Sequence, residues 1–107
     1  MMGIDEGLAR EIVGRILSVA TPTRIVVFGS AARGHVTTDS DIDLLVLQDG
    51  TCDLRAERAR IRQVLRGLER PFDIIVMATE RFEETKDIVG GVAYPASRHG
   101  TVVYETG

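Results

Sequence analysis

The residues able to do chemistry are concentrated in one stretch of this 107-residue chain, Gly29-Ser30 followed by Asp39-Ser40-Asp41-Ile42-Asp43. Five of the eight aspartates fall between positions 39 and 53, and three of them fall within five residues. Asp41 and Asp43 stand two apart in a run that reads as a strand, Asp41 to Leu47, so both carboxylates leave one face while Ile42 enters the core. Carboxylates this close repel by roughly 4 kcal/mol at ~4 Å with an effective dielectric of about 20, and a shared proton, a cation or solvent at the strand end must offset that. Hard divalent cations take oxygen ligands, and a carboxylate pair plus substrate phosphates is a common Mg²⁺ arrangement. The alternative is a pair that caps a strand in water. Gly29 directly follows the apolar run Ile25 to Phe28, where the lack of a Cβ lets the backbone turn and approach a ligand. Ser30 adds a hydroxyl and a backbone N–H, both able to donate to a phosphate oxygen. Gly-Ser alone describes an ordinary turn; ahead of a carboxylate pair it describes a site for phosphate and metal.

Three other motifs are approached and missed. Gly29 and Gly34 have the spacing that opens a P-loop, but His35-Val36 occupy the positions of its lysine and hydroxyl residue. Asp39, Asp41 and Asp43 begin like an EF-hand loop, yet Leu44 stands where its glycine belongs and Gly50 where its bidentate glutamate belongs. A dinucleotide fingerprint would need a third glycine in register, which is missing.

The elements that must position these residues follow from periodicity. Ile4 to Ala20 reads as an amphipathic helix, stopped by Thr21-Pro22, and Ile25 to Phe28 as a buried strand. Gly29 to Ser40 is loop, and Asp41 to Leu47 a second strand. Asp53 to Arg70 reads as a second helix, with Asp53 as its N-cap and Pro71 after its end. Phe72 to Met77 is a third strand, and Thr79 is expected to cap a further helix through Val89. After Gly90-Gly91, Val92 to His99 suggests a short helix and Thr101 to Tyr104 a last strand. Leu45 and Leu47 continue the face that carries Asp41 and Asp43, so that apolar surface needs a cover.

Composition sets outer bounds. With 44% hydrophobic and 27% charged residues and a net charge of -3, the chain is an ordinary globular domain, neither disordered nor broadly basic. The longest apolar run, Ile74 to Ala78, is too short to cross a membrane, and charged residues from Asp5 to Glu11 exclude a secretory apolar stretch there. Cys52 is the sole cysteine, which fits a reducing compartment, so a cytoplasmic location is expected.

The motif stretch resembles the nucleotidyltransferase superfamily typified by the palm domain of DNA polymerase β, and within it the minimal nucleotidyltransferase (MNT) proteins of the MntA antitoxin type. The pattern is a strand, Gly29-Ser30, the ten residues Ala31 to Ser40, then Asp41-Ile42-Asp43. Arg33-Gly34, Ser40 and the ending Gly100 to Glu105 are similar to that family as well. The resemblance implies one α+β domain over residues 1–107, with a mixed sheet of about four to five strands and helices packed mainly on one face. It also implies a third carboxylate from a neighbouring strand, and Asp73, at the start of an apolar strand after Pro71, could face the pair if those strands adjoin. The alternative for Asp73 is a strand-start aspartate bonded to a nearby backbone N–H. As the resemblance has it, Asp41, Asp43 and Asp73 are catalytic and hold two Mg²⁺ ions, while Gly29, Ser30, Arg33 and Ser40 bind ATP or another nucleoside triphosphate. In-line attack of a hydroxyl on the α-phosphorus would expel pyrophosphate.

So short a chain has no evident second substrate site. The acceptor is then expected on a partner, and the resemblance implies which: a hydroxyl of a HEPN-type toxin protein, in a homo- or hetero-oligomer and with no need of nucleic acid. A competing function is a non-catalytic antitoxin that neutralises its partner by occlusion. Arg33 is equally a solvated loop arginine, and His35, Cys52 and His99 show no partner at metal or catalytic spacing. Arg55, Arg58, Arg62 and Arg66 share one helical face, which is either a solvated surface or a docking surface for an acidic partner or RNA.

Overall fold

A computed structural model describes residues 6–28, 42–49, 53–68, 71–88 and 100–106. Helix α1 (Glu6–Leu17) buries Ala9, Ile12 and Ile16 at three-to-four spacing, and closing bonds from Val19 and Ala20 to Ile16 O end it. Strands β1 (Arg24–Phe28) and β2 (Ile42–Gln48) are almost wholly buried, as their apolar runs require. Helix α2 (Leu54–Leu65) starts at Asp53, whose Oδ1 accepts from the N–H groups of Arg55 and Ala56. It tightens into a 3₁₀ turn over Arg66–Leu68. Strand β3 (Phe72–Ala78), helix α3 (Thr79–Thr85) and strand β4 (Thr101–Glu105) complete the described elements.

The four strands form one mixed sheet in the order β3-β2-β1-β4. β2 runs antiparallel to β1 and parallel to β3, and β4 pairs antiparallel with the other side of β1. The parallel pair follows from the crossover through α2, since such a pair cannot be joined by a tight turn. Helices α1 and α2 cover one face, where Ile12, Ile16, Ile61 and Leu65 pack on Ile25, Val27, Ile42, Leu44, Val46 and Ile74. Gln48 continues that face of β2, and its Nε2 donates to Oε2 of the buried Glu57 at 2.5 Å. Arg60 takes the other oxygen of Glu57, so the buried carboxylate has partners on both sides.

The second face carries Val26, Phe28, Leu45 and Leu47, with Ile75 and Met77 beside them, and Phe82 of α3 packs over them at 3% exposure. This is the cover that Leu45 and Leu47 needed. The Arg24 guanidinium lies 5.9 Å from the centre of the Phe82 ring and pairs with Glu105 at 2.9 Å, tying α3, β1 and β4 together.

The expected α+β architecture holds, with local corrections. The N-cap of α3 is Ala78, with no side-chain cap bond, because the Thr79 hydroxyl instead meets that of Thr23 at 2.9 Å. Helix α3 ends at Thr85 rather than continuing to Val89, and Ile88 is 54% exposed. The first helix ends at Leu17 and the regular part of the second at Leu65, each short of the expected end. The suggested helix from Val92 to His99 lies outside the described residues.

Candidate active site

Asp43 is the second residue of β2 and Asp73 the second of β3, and the parallel register sets them directly opposite each other. Phe28, at the end of β1, pairs with Asp43 from the other side, so Phe28, Asp43 and Asp73 form one row across the sheet. Paired residues on adjacent strands project to the same face, about 4.8 Å apart along the hydrogen-bonding direction. The face is that of Leu45, Leu47 and Phe82, and the carboxylates stand at its margin: Asp43 half-buried, Asp73 exposed.

The register holding this pair is fixed from both sides. Ile42 and Ile74, the neighbours of the two aspartates, are both buried in the core beneath α1 and α2, so a one-residue slip would turn them to the opposite face. The Ile42 N–H donates to Pro71 O at 2.9 Å where β2 and β3 begin. From α2, Arg58 Nε donates to Ile74 O at 2.8 Å, anchoring β3 one residue beyond Asp73. The carboxylates thus sit on regular strands, with the core as their support.

Like charges directly opposite on neighbouring strands oppose folding, and an apolar margin makes them harder to solvate. Two hard oxygen donors in register suit a divalent cation that completes its shell with water and phosphate oxygens. Among the described residues no group of three or more His, Cys, Asp or Glu comes together. Gly29, Ser30, Arg33, Ser40 and Asp41 lie outside the described residues, so the structure brings together Asp43 and Asp73 of the expected set. Phe28 and Ile42, which bound the undescribed segment, belong to the same end of the sheet, with Phe28 paired to Asp43. Sequence reasoning did not find the role of Phe82 as cover or of Arg58 as anchor for β3. The strand–helix–strand order with short connections was a usable signal for neighbouring β2 and β3, because sequential strands joined by a helix generally adjoin. No helix among the described residues is long and apolar enough to cross a membrane.

Comparison with known proteins bears on the fold and the family. The fold matches a candidate nucleotidyltransferase from Sulfolobus solfataricus with a TM-score of 0.60 and 27% identity, covering 94% of this chain and 79% of that one. It also matches a chain of a toxin–antitoxin complex solved with AMP-PNP, with a TM-score of 0.63, 19% identity, and 92% and 73% coverage of the respective chains. A third match, at TM-score 0.60 and 19% identity over 95% of this chain and 74% of the other, is to a complex of a tri-AMPylated Shewanella oneidensis HEPN toxin with its MNT antitoxin. No curated protein sequence matches the chain. The family model described as nucleotidyltransferase domain matches residues 8–92, a span that includes most of α1, all of β1 to β3, Asp43 and Asp73. The chain therefore belongs to the nucleotidyltransferase domain family.

Proposed function

We propose that the chain is a metal-dependent nucleotidyltransferase that moves AMP from ATP to a hydroxyl of a protein partner, a HEPN-type toxin. The observation that carries this reading is the register pairing of Asp43 with Asp73 in a chain of this family. The tri-AMPylated toxin in a structurally similar complex supports the choice of nucleotide and acceptor. Asp41, Asp43 and Asp73 would hold Mg²⁺, and Gly29, Ser30, Arg33 and Ser40 would bind the triphosphate. Bound there, the metal supplies Lewis-acid polarisation of the phosphoryl oxygens and neutralises their charge. The half-buried Asp43 keeps its carboxylate in a fixed place, while the exposed Asp73 is accessible to an incoming hydroxyl and suited to receive its proton. The acceptor oxygen bonds to the α-phosphorus, the bond from that phosphorus to the bridging oxygen breaks, and pyrophosphate leaves. The lone Cys52 is consistent with work in the cytoplasm.

The test is to purify the chain with its co-isolated partner and add α-labelled ATP and Mg²⁺. Label is expected on the partner, and Asp43→Asn is expected to lower it by about 10²-fold or more with the fold unchanged by circular dichroism. A tight complex that takes no label, and whose assembly is indifferent to Asp41→Asn, would replace this reading with inhibition by occlusion.

A further inference from the structure

Helix α2 and the 3₁₀ turn that ends it present Arg55, Arg58, Arg62 and Arg66 along one exposed face, and Arg55, Arg62 and Arg66 make no ion pair with any described residue. Arg60, on another face, is the arginine of this helix that pairs with Glu57. The row lies against β3, the edge strand of the sheet: Arg58 reaches Ile74 O, and Arg62 and Arg66 flank a recess of about 150 Å³ floored by Leu65, Phe72 and Ile74.

Among the described residues β3 is an edge strand, and the groups on its outer side follow from its hydrogen bonds. Pro71 O accepts from Ile42 on β2, whereas Ile74 O accepts from Arg58. Backbone groups alternate in direction along a strand, so Asp73, Ile75 and Met77 turn theirs to β2 while Phe72, Ile74 and Val76 turn theirs outward. Among the described residues no strand pairs with this side of β3, and its outward N–H and C=O groups are a template for another strand, Ile74 O through the lone pair that Arg58 leaves. Guanidiniums four residues apart on a helix recur every ~6 Å, close to the ~6.6 Å between alternate side chains of an extended chain.

We infer that the β3 edge and the α2 arginines together form a docking surface for an extended acidic segment of a partner protein, which adds as a strand beside β3 and sets alternate carboxylates on Arg58, Arg62 and Arg66. The apolar floor of Leu65, Phe72 and Ile74 accepts the methylene stems of acidic side chains, and the spacing of the arginines matches alternate residues of an extended peptide, which favours a peptide over RNA. The net charge of -3 likewise leaves the arginine row as a local basic feature of an acidic chain. The arginine row and its recess lie on the α1/α2 face of β3, opposite the face to which Asp73 belongs, and the readout is peptide binding rather than nucleotide transfer.

The test uses the full chain and a short peptide of alternating glutamate and valine, titrated by fluorescence anisotropy at low and high salt. The peptide is expected to bind, to weaken with salt, and to bind about tenfold or more weakly to the Arg62→Glu/Arg66→Glu variant. Hydrogen exchange at the Phe72 and Val76 amides is expected to slow in the complex. Equal binding of a lysine–valine peptide would overturn the inference, as would equal binding of a backbone N-methylated acidic peptide to the unmodified protein. Tighter binding of a single-stranded RNA oligonucleotide, lost in the same variant, would overturn it in favour of nucleic acid.

Discussion

Replacing Asp73 by asparagine should make this protein more stable and less active, and the two effects should separate with Mg²⁺. Asp73 lies opposite Asp43 in the parallel register, at the interstrand spacing of about 4.8 Å. Two unit charges at that distance in an effective dielectric of about 20 repel by about 3 kcal/mol, an upper bound because Asp73 is exposed. Cross-strand side-chain pairs contribute up to about 1 kcal/mol, and we take that scale as the expected gain from removing a like-charge pair. For a domain of this size it corresponds to a rise in Tm of roughly 4–8 °C. Asparagine keeps the volume and the hydrogen-bonding shape, so the change isolates the charge. In EDTA, Asp73→Asn should therefore melt above the wild type. At ten times its Kd, Mg²⁺ stabilises a protein that binds it by about 1.4 kcal/mol, enough to bring the wild type level with or above a variant that has lost the site. The assay is thermal unfolding by circular dichroism for both proteins with EDTA and with Mg²⁺. A variant that melts below the wild type in EDTA, or equal Mg²⁺ shifts in both proteins, would refute the reasoning that the paired carboxylates form a cation site.

Two further predictions concern the support of that face. Phe82→Ala should cost about 3 kcal/mol in urea unfolding, because Phe82 is the buried cover over Val26, Phe28, Leu45 and Leu47; a loss under about 1 kcal/mol would mean that another element covers this face. On the same helix, the Glu83 carboxyl is held below the ordinary glutamate range, chiefly by the hydrogen bond from Lys86 Nζ at 2.8 Å, against an opposing effect of desolvation and with lesser help from the charges of Lys86 and Arg24. A lowered folded-state pKa stabilises above the unfolded value and loses that contribution as pH falls through the folded value. NMR titration should show Glu83 protonating at lower pH than an ordinary glutamate and moving up in Lys86→Met. An unmoved titration would refute the assignment to Lys86.

Much of this fold is written locally. The apolar runs Ile25 to Phe28 and Leu44 to Leu47 announce strands because residues buried on both faces have no polar alternation to display. Asp53 announces α2 because an aspartate at that position satisfies orphan N–H groups within three residues of itself. Thr79 has the same local credentials, yet its hydroxyl is engaged by Thr23, 56 residues away in sequence, and the helix starts without a side-chain cap. A local rule fails there because a distant partner competes for the same oxygen.

The sequence by itself determined the chemistry of this protein: which residues are carboxylates, their two-residue spacing about Ile42, and the glycine and serine that precede them. Those properties depend on residue type and on the period of a strand, and neither needs a neighbour. The tertiary structure decided that Asp73 is the residue facing Asp43, that Phe82 closes the face beside them, and that Arg58 anchors the edge strand. Each joins residues well apart in sequence, 16 positions even for Arg58 and Ile74. Strand register is set by which side chains the core on each face will accept. Burial of Ile42 and Ile74 under α1 and α2 brings the two aspartates out on the opposite face, side by side.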